Sequence, residues 1–159
     1  MRILVTGAEN PTGAAIATAL AASGHTVRAF GIAPGTNPFA DQARIEPFAG
    51  DVALGGSLEP VASECQAIVH AASLDSKASA VHVASGTRYA RFAAERELVQ
   101  QFVVLLPADA PRSLSSAIEQ AETLVKATRV PHTLLVAETP EAAATQVSRL
   151  MADVEKAMA

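Results

Sequence analysis

Residues 2–6, Arg-Ile-Leu-Val-Thr, run directly into Gly7-Ala8-Glu9-Asn10-Pro11-Thr12-Gly13. An alanine-rich stretch follows over residues 14–23, with Ile16 and Leu20 four apart on one helical face. A buried strand, a glycine turn and a helix in that order constrain the chain more than any other feature. A strand that passes into a helix cannot meet its successor through a hairpin, so the next strand has to return parallel to it.

The same alternation continues to the end of the chain. Residues 26–30, 45–48, 67–71, 101–106 and 131–137 read as further strands, and 58–65, 81–98, 115–128 and 140–158 as further helices. Gly24 is expected to cap the first helix, and Pro47 sends residues 45–48 to a sheet edge. In the 81–98 helix Val81, Tyr89, Phe92 and Ala93 form the stripe expected to face the core. In the 115–128 helix the inward residues are expected to be Ile118, Ala121, Leu124 and Val125. Six strands joined by helical crossovers predict one α/β domain over residues 1–159. It is a doubly wound parallel sheet of Rossmann type with helices on both faces and no separate substrate domain.

Composition narrows the function classes. Half of the 159 residues are hydrophobic and 18% are charged, which is a globular balance. The formal charge is −4 and no basic run occurs, which speaks against nucleic acid. No apolar run approaches the ~18 residues of a membrane span, and the N-terminal apolar stretch is too short for a signal peptide. One cysteine, Cys65, allows no internal disulfide and no cysteine-rich metal site. A cytoplasmic protein without a metal is expected.

The turn at Gly7–Gly13 has a chemical reading. Glycines after a first strand let backbone approach a pyrophosphate, and the helix start supplies N–H groups and a positive dipole end. Two of the three usual glycines are present, with Asn10 in the middle place. Asn tolerates the left-handed region, so the turn is expected to keep its shape while the side chain adds bulk against a phosphate. Gly7, Asn10, Pro11, Thr12 and Gly13 are therefore candidate cofactor contacts, against the alternative of a helix start that has lost its ligand.

Four segments in order resemble the extended or atypical branch of the short-chain dehydrogenase/reductase family, which holds nucleotide-sugar epimerases and dehydratases. They are Thr6-Gly7-Ala8 with Gly13, Gly50-Asp51-Val52, Ile68-Val69-His70-Ala71-Ala72, and 81–87, Val-His-Val-Ala-Ser-Gly-Thr. The last departs from the family's Asn-Val-x-Gly-Thr, with His82 for the asparagine and the Gly-Thr pair one residue late. The likeness covers roughly residues 1–137, and the family's usual substrate-binding remainder has no counterpart. It implies NAD or NADP as cofactor, with Asp51 and Val52 at the adenine and His70, Ala71 and Ala72 along the ribose side. Asp51 reads equally well as a solvated turn residue.

The family's catalytic positions carry over poorly. Its Ser or Thr after the fifth strand corresponds to 106–109, Leu-Pro-Ala-Asp, and its Tyr-x-x-x-Lys falls on Leu114 and Ile118. Tyr89 is the only tyrosine, Ala93 stands four residues on, and neither Lys77, Lys126 nor Lys156 has a tyrosine four before it. In the family the lysine lowers the phenol's pKa toward the working pH. Leu and Ile do neither job, so no catalytic residue is assigned. The end of the second strand, where an acid would select NAD and an arginine NADP, holds Gly31 and Ile32. Gly31 is a candidate contact, Arg28 is expected to alternate to the wrong face, and binding is expected to be weaker than in an intact relative.

Other chemistry is sparse. His25 and His132 are expected at the surface or rim, His70 at the crevice, and His82 packed or hydrogen-bonded to a neighbouring loop. Asp109 and Ser113 are expected to cap the helix that follows them, and Cys65 to be a small buried apolar group. Helices 87–98 and 115–128 match those that pair subunits in the resembled family, which implies a homo-oligomer, and a protein partner is also allowed. The leading expectation is a nucleotide-binding sensor or regulatory protein without family catalysis. The alternatives are a ligand-free assembly scaffold and a divergent oxidoreductase or epimerase-like enzyme using other groups.

Overall fold

The computed structural model describes residues 1–74 and 79–159. Lys77, one of the lysines counted above, lies outside the described residues. Along the chain run β1 (Arg2–Thr6), α1 (Pro11–Ala22), β2 (Thr26–Phe30), β3 (Ile45–Phe48), α2 (Glu59–Ala62) and β4 (Ala67–His70). They are followed by α3 (Ala80–Glu97), β5 (Gln101–Pro107), α4 (Ser115–Lys126), β6 (His132–Ala137) and α5 (Pro140–Met158). All strand pairs are parallel, in the order β3-β2-β1-β4-β5-β6. This is the expected doubly wound Rossmann-type sheet, and Pro47 does lie on an edge strand, where its missing N–H breaks no ladder.

Strand alternation divides the core into two layers. Ile3, Val5, Val27, Val69, Val103 and Leu105 face α1 and α5, whose Ile16, Leu20, Val147 and Met151 are fully buried. Leu4, Phe30, Ile68, Phe102, Val104 and Leu106 face α2, α3 and α4. The central strands β1, β4 and β5 are buried on both sides, which is why they read as unbroken apolar runs.

Several expectations need correction. The first helix starts at Pro11, three residues earlier than expected, but it ends as expected at Gly24, which has φ +92° and donates its amide to the Ala21 carbonyl while the His25 amide donates to that of Leu20. Pro11 occupies the first turn, where a fixed φ suits a helix and no N–H is required. The 58–65 helix shrinks to the single turn α2. On α3, Val81 and Phe92 are 67% and 49% exposed, whereas Val83, Gly86, Thr87, Ala90, Ala93 and Ala94 are buried. Small side chains let α3 lie close on the sheet and α4, so the bulky stripe turns outward. On α4 the buried residues are Ala117, Ala121 and Val125, with Ile118 and Leu124 half-buried. His25 is buried, not at the rim, with its Nδ1 3.3 Å from the Met1 amino group.

Candidate functional site

The strand order reverses between β1 and β4, because the chain crosses to the other face after β3. At such a switch point the connections leave the strand ends in opposite directions and open a crevice beyond them. A cavity of about 370 Å³ lies there, lined by Gly7, Glu9, Asn10, Phe30, Gly31, Gly50, Asp51, Val52, Ala72 and His82. That volume falls at the lower end of the usual range for ligand pockets.

Packing of the chain on itself dictates the glycine turn. Gly7 has φ +67°, and a Cβ on it would stand 2.6 Å from the Ala72 backbone. A Cβ on Gly13 would overlap the Gly7 carbonyl. Both glycines are therefore required by the close approach of α1 to the turn, and of the turn to the end of β4.

Asn10 is not left-handed as expected. It is extended (φ −76°, ψ 154°) and is the N-cap of α1. Its Oδ1 accepts from the Gly13 amide at 2.7 Å, and its Nδ2 donates to the Ala71 carbonyl at 2.9 Å. Pro11 has no N–H and that of Gly13 is taken, so of the first three residues of α1 only Thr12 keeps an amide for an anion. Pro11, Thr12 and Gly13 sit in the first helical turn and do not line the cavity.

Gly31 (φ +100°) lines the cavity at the end of β2. Glu9 reaches the same place from the first turn, its Oε1 accepting from the Ala33 amide at 2.7 Å. Arg28 points the other way, as its alternation required. One guanidinium nitrogen donates to the carbonyls of Val61 and Ser63, each at 2.7 Å, at the end of α2.

Asp51 is half a turn residue and half a cavity residue. It lines the cavity, and its Oδ1 accepts from the Ala53 amide at 2.9 Å within its own turn. Its Oδ2 lies 3.3 Å from His82 Nε2, and His82 Nδ1 lies 3.0 Å from Ser79 Oγ, so His82 does bond to a neighbouring loop. Ser79 Oγ also accepts from the His82 amide and caps α3. Val52 packs on Gly86, where a Cβ would come within 3.1 Å of its Cγ1.

His70 does not line the cavity. It is fully buried on the α3 side of the sheet, with Nδ1 2.8 Å from Thr6 Oγ1 and Nε2 without a partner among the described residues. Burial pulls its pKa down to about 4, so the ring is neutral. Ala71 is buried and contributes its carbonyl to Asn10, while Ala72 lines the cavity.

Glu9, Phe30, Gly50 and His82 were not singled out as contacts from the sequence. Gly50 is adjacent to Asp51 and lies flat on the Phe30 ring, where a Cβ would stand 2.5 Å from Cζ. Adjacency to the assigned residues was the available signal for Glu9, Phe30 and Gly50.

Beyond β5, Asp109 and Ser113 are exposed, and α4 begins at Ser115 with Leu114 before it and no side-chain cap, contrary to expectation. A short 3-10 turn, Arg112–Leu114, leads into that helix and takes the place of a cap. Cys65 is buried, which pushes its thiol up to about 11. Among the described residues no three His, Cys, Asp or Glu side chains gather as a metal site, and no helix is long and apolar enough to cross a membrane.

Comparison with known proteins agrees with this geometry. The model of the NAD dependent epimerase/dehydratase family matches residues 3–108. No curated protein sequence matches the chain. Among solved structures, Bordetella bronchiseptica WbmG in complex with NAD is 20% identical with a TM-score of 0.72, covering 84% of this chain and 52% of its own. The oxidoreductase ylbE from Lactococcus lactis is 15% identical with a TM-score of 0.78, covering 95% and 85%. A Rossmann-fold NAD(P)-binding family protein from Shigella flexneri is 13% identical with a TM-score of 0.78, covering 98% and 88%. The chain thus spans about half the length of WbmG and most of the length of the other two.

Proposed function

The chain belongs to the NAD dependent epimerase/dehydratase family, and on that premise we propose that it binds a nicotinamide dinucleotide without family-type turnover and acts as a sensor or regulatory protein. The observation that carries this reading is the convergence of Gly7, Asn10, Gly31, Asp51, Val52 and Ala72 on one crevice at the switch point. Gly7 and Gly31 offer backbone with no side chain in the way, Asp51 offers acceptors for an adenine amino group, and Val52 an apolar edge. The Thr12 amide is the anion donor at the start of α1.

When bound, the cofactor would give or take a hydride. The chain has no Tyr-x-x-x-Lys to move the accompanying proton, and its tyrosine, Tyr89, is on α3. Leu114 and Ile118 hold the family's positions. Occupancy without turnover would make the protein report the nucleotide present. Calorimetric titration with NAD(H), NADP(H) and adenine nucleotides, followed by a carbonyl-reduction assay, tests this. Saturable binding with no turnover is expected, and ordinary enzymatic turnover would refute it.

A second reading, a scaffold that has lost its ligand, is favoured by the Asn10 cap and by Pro11, which together thin the anion donors of α1. It predicts no heat from any nucleotide. Either reading accommodates self-association through α3 and α4. There the exposed Phe92 stacks edge-on with Tyr89 at 6.5 Å on α3, and Arg88 of α3 lines a groove with Glu119 and Leu124 of α4. Sedimentation of wild type against Phe92→Glu tests it, with a dimer expected for wild type alone.

A further inference from the structure

Dinucleotide sites of this architecture hold the adenosine ribose with an acid at the end of the second strand, and here that position carries Gly31 and Ile32. The structure delivers a carboxylate to the same place by another route. Glu9, in the turn after β1, crosses to the segment after β2, where its Oε1 accepts from the Ala33 amide at 2.7 Å. Glu9 and Gly31 line the same crevice. The end of β2 lies directly against the turn that carries Glu9, since a Cβ on Gly31 would rest in van der Waals contact with the Gly7 nitrogen at 3.7 Å. The Ala33 amide fixes the rotamer through one oxygen, and Oε2 makes no hydrogen bond among the described residues. An ionised carboxylate has acceptor sites to spare for vicinal hydroxyls.

We propose that Glu9 replaces the missing strand-end acid: its carboxylate receives the ribose hydroxyls of the bound nucleotide and, by repelling a 2′-phosphate, restricts the crevice to NAD(H) over NADP(H). This rests on the nucleotide-binding reading above. The cations in reach support the same selectivity. His82 is the basic residue in the lining and already faces Asp51. Arg28 is committed to the Val61 and Ser63 carbonyls. Among the described residues a 2′-phosphate would therefore meet a carboxylate with no free countercharge, and such like-charge contact is strongly disfavoured.

Calorimetric titration of the full chain with NAD and NADP tests the proposal, using wild type, Glu9→Gln and Glu9→Asp, with thermal unfolding as a check on folding. Wild type should prefer NAD by about tenfold or more. Gln keeps an acceptor for Ala33 and loses the charge, so the preference should collapse toward unity through weaker NAD and tighter NADP binding. Asp keeps the charge but is too short to reach, so NAD should weaken while NADP stays excluded. Equal wild-type affinities, or an unchanged ratio in Glu9→Gln, would overturn the Glu9 role and leave the nucleotide-binding reading intact. Binding of neither nucleotide by folded wild type would overturn both.

Discussion

Asn10 and Gly13 are joined by a 2.7 Å hydrogen bond from the Gly13 amide to the Asn10 side chain, so the N-terminus of α1 is capped from within. The same side chain ties the turn to β4 through the Ala71 carbonyl. The bond that secures the helix occupies one of the amides at its start, so on the proposed nucleotide-binding reading stability and anion binding would compete at this residue.

Asn10→Gly should therefore separate the two. Glycine is nearly as good an N-cap as asparagine, but the buried Ala71 carbonyl loses its donor, a cost of about 1–2 kcal/mol. Denaturant unfolding should show that loss. Titration with NAD should show tighter binding, because the Gly13 amide is released. Binding weakened in step with stability would contradict the competition.

Acid should destabilise the fold through its histidines. Burial lowers the pKa of His70 to about 4, and His25 is lowered by burial and by the Met1 amino group. The unfolded chain then binds more protons between pH 6.5 and 4, so stability is full above pH 6.5 and falls on acidification across that window. It levels off for His70 below about 4. A shift of that size corresponds to a loss on the order of 3 kcal/mol. Unfolding free energies measured from pH 7 to 4 should fall less steeply in His70→Gln than in wild type.

Much of this structure was legible in the sequence, and the misses share a cause. Six strands, their parallel direction and the edge position of β3 follow from the alternation of strand and helix segments and from Pro47, which are local signals. The burial of Ala90 and Ala94 in place of Val81 and Phe92 was not legible, because close packing against a neighbouring helix rewards small side chains that a hydrophobicity pattern ignores. Gly7, Asn10, Gly31, Asp51, Val52 and Ala72, named from the sequence as candidate contacts, line the crevice beyond the strand ends. The part played by Glu9 depends on a contact across 24 residues, which sequence spacing does not reveal. His70 was expected at the crevice, but its ring is directed to the α3 face, where it lies against Gly86.

Arg28→Leu should cost stability and leave nucleotide preference alone. It removes a charged donor from the Val61 and Ser63 carbonyls, each bonded at 2.7 Å. A loss of about 2 kcal/mol in unfolding free energy is expected. A changed NAD-to-NADP ratio would show that the guanidinium reaches the crevice after all.

Leu98→Gly should stabilise the protein. Leu98 ends α3 in the left-handed region at φ +50° and is 73% exposed, so it carries backbone strain with little packing in return. Glycine at that position removes the strain, and a gain of about 0.5–1 kcal/mol is expected by chemical denaturation. An unchanged or lower midpoint would contradict that account of the helix end.

A crystal structure of the protein grown with saturating NAD tests the central claim most directly. The account predicts nucleotide density in the crevice between Gly31 and Asp51, with ribose hydroxyls on Glu9 and a phosphate oxygen at the Thr12 amide. An empty crevice at saturating NAD, or density confined to another surface, would contradict it.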